Sequence, residues 1–182
     1  MFIRLKKING QLYAYRVRNT WTKKGARQKS VKYLGKALEL DKPGKLSFEE
    51  FLKKYPAGFI EEAELKQIIA ALVSWELQRR GFKAKEGFVK GDVNIQLNKL
   101  QPEMNGKPLI IKMGEGYLCA ETIKALLSFR QKEEDPETAG MRLANSFISA
   151  GIQVPKEVFV KVFEKCCYFE EPEVETSLKN FE

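Results

Sequence analysis

Residues 2–8 (FIRLKKI) and 11–18 (QLYAYRVR) are strand-like, with Ile3 and Leu5 in the first and Leu12 and Ala14 in the second standing two apart, and Asn9-Gly10 lies between the runs. Alternation is the signature of a half-buried strand. Asn-Gly is the strongest short hairpin signal, because a type I′ turn needs positive φ at both central residues. A two-residue turn fixes the register: Ile8 faces Gln11, Lys6 faces Tyr13, Arg4 faces Tyr15 and Phe2 faces Val17. On the other face Lys7 meets Leu12, Leu5 meets Ala14 and Ile3 meets Arg16. Ile3, Leu5, Leu12 and Ala14 form the side expected to pack. A third run, 27–34 (RQKSVKYL), follows the loop 22–26 (TKKGA) and completes a three-stranded antiparallel meander. The segment 46–55 (LSFEEFLKKY) reads as a short helix with Ser47 as N-cap and Glu50 in the capping box. A small sheet cannot bury its apolar face alone, so this helix is expected to cover it.

Tyr55-Pro56-Ala57-Gly58 breaks the pattern and is taken as a domain boundary. From Glu61 to Arg80 the apolar residues Leu65, Ile68, Ile69, Leu72, Val73 and Leu77 recur at helical spacing. Acids lead this helix, Arg79 and Arg80 close it, and Gly81 follows. Residues 88–97 and 108–113 read as strands, with Asn105-Gly106 as a turn. Three amphipathic helices are expected at about 120–131, 137–150 and 155–168, with Pro136 and Pro155 in first-turn positions. The fold class is therefore α+β: a small N-terminal three-stranded antiparallel sheet with a helix, then an α/β unit and a C-terminal helical bundle. The expected division is 1–55, 59–170 and an acidic mobile tail at 171–182.

Charge changes this picture most. The first 38 of the 182 residues hold eleven Lys and Arg and no Asp or Glu; the other 21 basic residues face 24 acids, so the whole net charge of +8 comes from one end. A block of one sign repels itself and suits a polyanion, whose phosphate contacts release counterions. The chain has no histidine, which removes the commonest general base and zinc ligand. Cys119, Cys166 and Cys167 make a poor disulfide framework. The adjacent pair Cys166-Cys167 reads as apolar filler on a buried helix. No apolar run approaches the ~18 residues needed to span a bilayer, and the start is too polar for a signal peptide. The expectation is a cytoplasmic protein with no membrane partner, no cofactor and no metal. Richness in Lys and Glu suits a thermophile.

The candidate binding residues are Arg4, Lys6, Tyr13, Tyr15, Arg16, Arg18, Lys23, Lys24, Arg27, Lys29 and Lys32. On the face with Arg4, Lys6, Tyr13 and Tyr15, cations interleave with rings, which suits phosphates plus base stacking or groove insertion. The alternative is that the tyrosines pack on the covering helix and the cations rim them. The basic loop Lys23-Lys24-Gly25-Ala26-Arg27 can bring backbone N–H groups and lysines to phosphates, or can be a solvated hairpin tip.

The stretch from Phe2 to Lys36 resembles the N-terminal segment of certain insertion-sequence transposases of the DDE type. The shared layout is a hydrophobic-basic strand, a Gly turn, a Tyr-rich strand, a basic Gly loop, and an ending here written Arg27-Gln28-Lys29 and Tyr33-Leu34-Gly35. The resemblance implies a DNA-end-binding role for residues 2–36. More loosely, sheet plus helix is similar to the arm-type DNA-binding domains of tyrosine recombinases. Taken whole, the chain also looks like an archaeal protein that carries the same N-terminal segment. The remainder departs from both families: it is too short for an RNase H-like catalytic domain and lacks Arg-His-Arg-Tyr chemistry, so catalysis is not carried over.

The expected function is non-catalytic nucleic-acid binding, with double-stranded DNA ahead of RNA or the ribosome. A protein partner with an acidic face is a blander alternative. A metal-dependent nuclease is a further one. It would use Asp92 and Glu76, but Lys112 is preceded two residues earlier by Ile110 and Gln96-Leu97-Asn98 has no lysine in register, so its carboxylate pair is incomplete. Gly151-Ile152 between the last two helices invites a helix-turn-helix reading. The apolar stripe Phe159, Val162, Phe163 and Cys166 argues instead for a core helix. Phe147, Ile148, Phe159 and Phe163 could equally build a homodimer interface.

Overall fold

The computed structural model describes residues 2–23, 25–40, 42–85, 87–96, 101–130, 132 and 134–167; Lys24 and the acidic tail expected at 171–182 lie outside the described residues. The elements run β1 (Phe2–Ile8), β2 (Gln11–Thr22), β3 (Gly25–Glu39), α1 (Phe48–Leu52), α2 (Phe59–Glu62), α3 (Leu65–Gln78), β4 (Lys83–Lys85), β5 (Gly87–Lys90) and β6 (Val93–Gln96). Then follow β7 (Gln101–Met104), β8 (Lys107–Met113), β9 (Gly116–Leu118), α4 (Ala120–Leu127), α5 (Pro136–Ala150) and α6 (Lys156–Cys166). Among the described residues the protein is mixed α+β, with one nine-stranded sheet and six helices.

The sheet order is β1-β2-β3-β8-β7-β6-β5-β4, with β9 also on β8. Every pairing is antiparallel except that of β3 with β8, which sets Lys36–Glu39 against Leu109–Lys112. That one parallel ladder joins the N-terminal meander to the rest of the sheet. Leu40 N–H extends it by donating to the carbonyl of Lys112 at 3.1 Å. Leu109, Ile110 and Ile111 of β8 are all buried, so the ladder runs through the protein interior.

The main core gathers α3 (Ile68, Ile69, Leu72, Trp75, Leu77), β8 and the apolar faces of α4, α5 and α6. The short helix at 46–55 forms with Ser47 as its N-cap, as expected, but it does not cover the N-terminal sheet. Phe48 and Phe51 join the core around α3; the Phe48 ring meets Trp75 edge-on at 5.2 Å, and the Trp75 indole N–H donates to the carbonyl of Leu46 at 2.9 Å. The inner face of β1–β3 is covered instead by Ile110 of β8 with Tyr117 and Cys119. They pack against Ala14, Ile3, Leu5, Leu34 and Ala37.

Three more expectations are corrected. The helix from Glu61 to Arg80 is two helices, because Ala63 and Glu64 are extended (ψ 146° and 154°) and the Gln67 side chain accepts from Glu64 N–H at 2.8 Å, restarting the helix at Leu65. The run 88–97 is a hairpin, folded at Gly91-Asp92, where Gly91 has φ +58°. The C-terminal helices end sooner than the periodicity predicts, α4 at Leu127 and α6 at Cys166. Phe147 is core, and Phe159 and Phe163 pack partly on it, so of the four proposed interface residues only Ile148 is strongly exposed.

Glu76 is the one fully buried carboxylate among the described residues. Its Oε1 accepts from Arg79 Nη2 at 3.0 Å and from Gln153 N–H at 2.9 Å, and its Oε2 accepts from Arg79 Nε at 3.1 Å and from Arg80. It ties the end of α3 to the segment after α5. Removing it strands Arg80 in the interior, which costs about 3–5 kcal/mol. Glu76→Ala should lower the urea midpoint accordingly, and Glu76→Leu with Arg80→Met should recover much of the stability. An unchanged midpoint in Glu76→Ala would refute this role.

All three cysteines are free and buried. Burial pushes the Cys166 thiol up from 9.0 to about 11, with the neighbouring Cys167 adding to the effect. A raised folded-state value means that the contribution of the neutral thiol is complete below about pH 9 and is lost as pH rises towards 11. Stability measured by urea unfolding should therefore fall between these limits, and Cys166→Ala should fall less steeply over the same range.

Candidate nucleic-acid interface

Asn9 and Gly10 have φ of +49° and +78°, the two positive values that a type I′ turn requires. The turn sets all seven predicted pairs of β1 with β2, from Phe2 opposite Val17 to Ile8 opposite Gln11. β2 and β3 then outrun β1. Beyond Val17, the described pairing of Arg18–Thr22 is with Gly25–Lys29 alone, so a two-stranded arm continues for roughly 17 Å at about 3.4 Å per residue. The expected five-residue loop is shorter than predicted, because Thr22 pairs with Gly25 and Trp21 with Ala26. Two threonines tie the tip, Thr20 Oγ1 donating to the Arg27 carbonyl at 3.1 Å and Thr22 Oγ1 to that of Gly25 at 2.9 Å.

The register sorts the side chains onto two faces. One carries Arg16 opposite Lys32, Arg18 opposite Lys29, and Thr20 opposite Arg27. The other carries Val17 opposite Ser30, Asn19 opposite Gln28, and Trp21 opposite Ala26. Towards the root this second face continues into Arg4, Lys6, Tyr13, Tyr15 and Tyr33. β3 keeps this order through two irregularities, at Val31 and Leu34, where β2 has no matching residue. Such bulges bend a strand and increase its twist. Gly35, next to Leu34, has φ +138°, and a Cβ there would stand 2.7 Å from the Pro108 carbonyl oxygen. Only glycine lets β3 turn from the arm into its ladder with β8.

Three tyrosines cluster at the root. Tyr33 lies 5.4 Å from Tyr15 and 6.4 Å from Tyr13, at interplanar angles of 51° and 44°, and Lys6 Nζ stands 5.1 Å from the Tyr15 ring. Tyr13 and Tyr15 are half-buried, while Tyr33 is 53% exposed. Partial burial, then the two neighbouring phenols, hold the Tyr33 hydroxyl above its ordinary value. The tyrosines thus lean on one another rather than on a covering helix. Arg4 reaches over the same face and donates to the side-chain amide oxygen of Gln28.

The cations differ in what they face. Arg16 Nε donates to Glu121 at 3.1 Å, and Lys32 Nζ lies 3.9 Å from the same carboxylate. That hydrogen bond, opposed by partial burial, raises the Arg16 pKa. Glu121 stands in the first turn of α4, so this contact pins the root of the arm to the helical layer. Arg18, Lys23, Arg27 and Lys29 are exposed and make no ion pair among the described residues. Below the root, a cleft of about 750 Å³ extends the surface from Lys32 past Cys119 and Glu121 to Lys107.

Of the candidate residues, Arg4, Lys6, Tyr13 and Tyr15 therefore share one face. Arg16, Arg18, Arg27, Lys29 and Lys32 share the other, and Lys23 stands at the tip. Sequence reasoning missed Trp21, Gln28 and Tyr33; extending the alternation of β2 past Arg18 places Trp21 on the tyrosine face. The residues weighed for metal chemistry are placed elsewhere. Asp92 is an exposed turn residue, both oxygens of Glu76 are taken, and Lys112 donates to Glu39 at 2.6 Å. Among the described residues, no three His, Cys, Asp or Glu cluster in a way that could hold a metal ion. No described helix is long and apolar enough to cross a membrane.

Compared with models of protein families, with curated proteins and with solved structures, the chain has no significant match.

Glu121 offsets cations that a polyanion would otherwise meet. Glu121→Gln should elute from a heparin column at higher salt than the wild type. Both partners are about one-third exposed, so the stability cost should stay within about 1 kcal/mol. Elution at the same salt would show that Arg16 and Lys32 do not contribute to polyanion binding.

Proposed function

We propose that this protein is a non-catalytic nucleic-acid-binding protein that holds double-stranded DNA through the arm and sheet of β1–β3. The observation that carries the reading is the rung Arg18–Lys29, a like-charge pair on a projecting arm with no carboxylate against it among the described residues. Like charges directly opposite destabilise a ladder, and phosphates remove that cost while releasing their counterions. A two-stranded ribbon fits the major groove of B-DNA, about 12 Å wide, whereas the deep, narrow major groove of an RNA duplex does not admit side chains. The resemblance of residues 2–36 to transposase N-terminal segments supports DNA on separate grounds.

A second reading, an RNA or ribosome partner, draws on the Tyr13–Tyr15–Tyr33 cluster, since exposed rings on a basic sheet stack on single strands. The tilt of those rings and the half-burial of Tyr13 and Tyr15 leave Tyr33 as the main platform, which ranks this reading below duplex DNA. A nuclease draws no support from Asp92, Glu76 or Lys112, each placed as described above.

Binding to labelled duplex DNA, single-stranded DNA and structured RNA across a salt series tests the proposal. Duplex affinity should fall steeply with salt. Replacing Arg18, Arg27 and Lys29 together by Ala should make the log–log slope shallower by about 2–3, at about 0.9 for each phosphate left without its cation. Because all three are exposed, the circular dichroism spectrum should not change. Tighter binding of RNA would favour the second reading, and no binding at low salt to any of the three would refute both.

A further inference from the structure

Trp21 is 85% exposed, whereas the only other tryptophan, Trp75, is 5% exposed in the core. Local structure explains why the indole finds nothing to pack on. Its cross-strand partner is Ala26, its chain neighbours are Thr20 and Thr22, and the next rung on its face is Asn19–Gln28. Among the described residues no ring and no cation stacks on it. A fold that needed only a hairpin tip there gains nothing from the largest apolar side chain, since its area stays in water.

The chemistry that fits a bare indole beside phosphate-binding cations is a nucleobase with a free π-face. Inside a continuous duplex both faces of every base are stacked, so such a face is offered only where bases are unpaired. The placement of the cations sharpens this. Arg18, Arg27 and Lys29 lie on the opposite face of the same two-stranded ribbon from Trp21. One face is built for a backbone and the other for a ring, as suits a ribbon standing where two strands part. Lys23 at the tip adds charge between them.

Resting on the reading of β1–β3 as a DNA-binding surface, we infer that the arm recognises duplex DNA interrupted by unpaired bases. Arg18, Arg27 and Lys29 hold the phosphates of one strand, and Trp21 stacks on the first unpaired base or on the last base pair.

The test compares a duplex carrying a short central bubble with a fully paired duplex of the same length and identical ends, and with the single strand. Wild type, Trp21→Ala and Trp21→Phe are measured, with tryptophan emission as a second readout in which buried Trp75 supplies the constant background. The bubble duplex should bind tighter than the paired duplex by about tenfold, with quenching of Trp21 emission. Trp21→Ala should lose that preference and keep its salt slope, and Trp21→Phe should retain most of it. The inference is overturned by equal binding of the two duplexes in the wild type, by an undiminished preference in Trp21→Ala, or by a single strand that binds tighter than the bubble. It is also overturned if Trp21 emission responds to anionic phospholipid vesicles and not to the bubble. Duplex binding without bubble preference leaves the proposed function standing and removes only the stacking; absence of all DNA binding removes both.

Discussion

The parallel ladder between β3 and β8 is the constraint on which the other features depend. β3 is fifteen residues long and serves two masters: its first half pairs only with β2, and Lys36–Glu39 also pairs with the buried strand β8. A free two-stranded hairpin is marginal in water. The arm persists because its second strand is the continuation of a strand anchored in the core. Gly35 and the bulge at Leu34 make the join, allowing β3 to come within contact of Pro108. The Arg16–Glu121 contact then braces the root from the other side, through α4. Bulge, glycine and brace all lie within a few residues of the point where the arm leaves the sheet, so its direction is set by the core and not by the arm's own polar sequence.

What could be read from the chain divides along the same line. The β1–β2 register was legible in full, because a two-residue Asn-Gly turn leaves one pairing, which sets Leu5 against Ala14 on the packed side. The extension of both strands to the tip was not. Residues 25–30 lie on a ribbon with water on both sides, and without burial there is no alternation to detect. The pairing of β3 with β8 was hidden for a different reason: the partners are more than seventy residues apart and neither announces the other. Ala63-Glu64 shows the limit of periodicity for helices. The apolar spacing runs on across the break, and only the Gln67 side chain, three residues after Glu64, marks a new start.

The candidate site was legible as a set of residues and illegible as a surface. Eleven cations without an acid are visible in the sequence, but which of them share a face depends on two bulges that shift the phase of β3 relative to β2. Arg16 looked equivalent to Arg18, its neighbour two positions on. Only the fold brings Glu121 of α4, far along the chain, against the first, while among the described residues no carboxylate meets the second. The tyrosines stand on the face opposite Ile3 and Leu5, as the register predicts, while the helix expected to cover that apolar side belongs with α3 and the core; the tyrosines pack on Tyr33 of the adjacent strand.

The arm also departs from what folding alone would select. Cross-strand pairs of like charge cost a few tenths to about 1 kcal/mol each, and the arm stacks two such rungs in succession, Arg16–Lys32 and Arg18–Lys29. The protein treats them differently. At the root it supplies Glu121, placed on the first turn of a helix that is itself held by Thr122 donating to Tyr117 at 2.7 Å. One rung further out no described residue supplies a counter-charge, and Arg27 follows on the same face. A stabilising acid on the same face as Arg18 and Lys29 would have been simple to encode, since Thr20 holds the next position along that face. Natural chains depart from local stability chiefly where function asks for it. Under the proposed function the counter-charge is left to the ligand: a phosphate at the second rung would complete the neutralisation that Glu121 performs at the first.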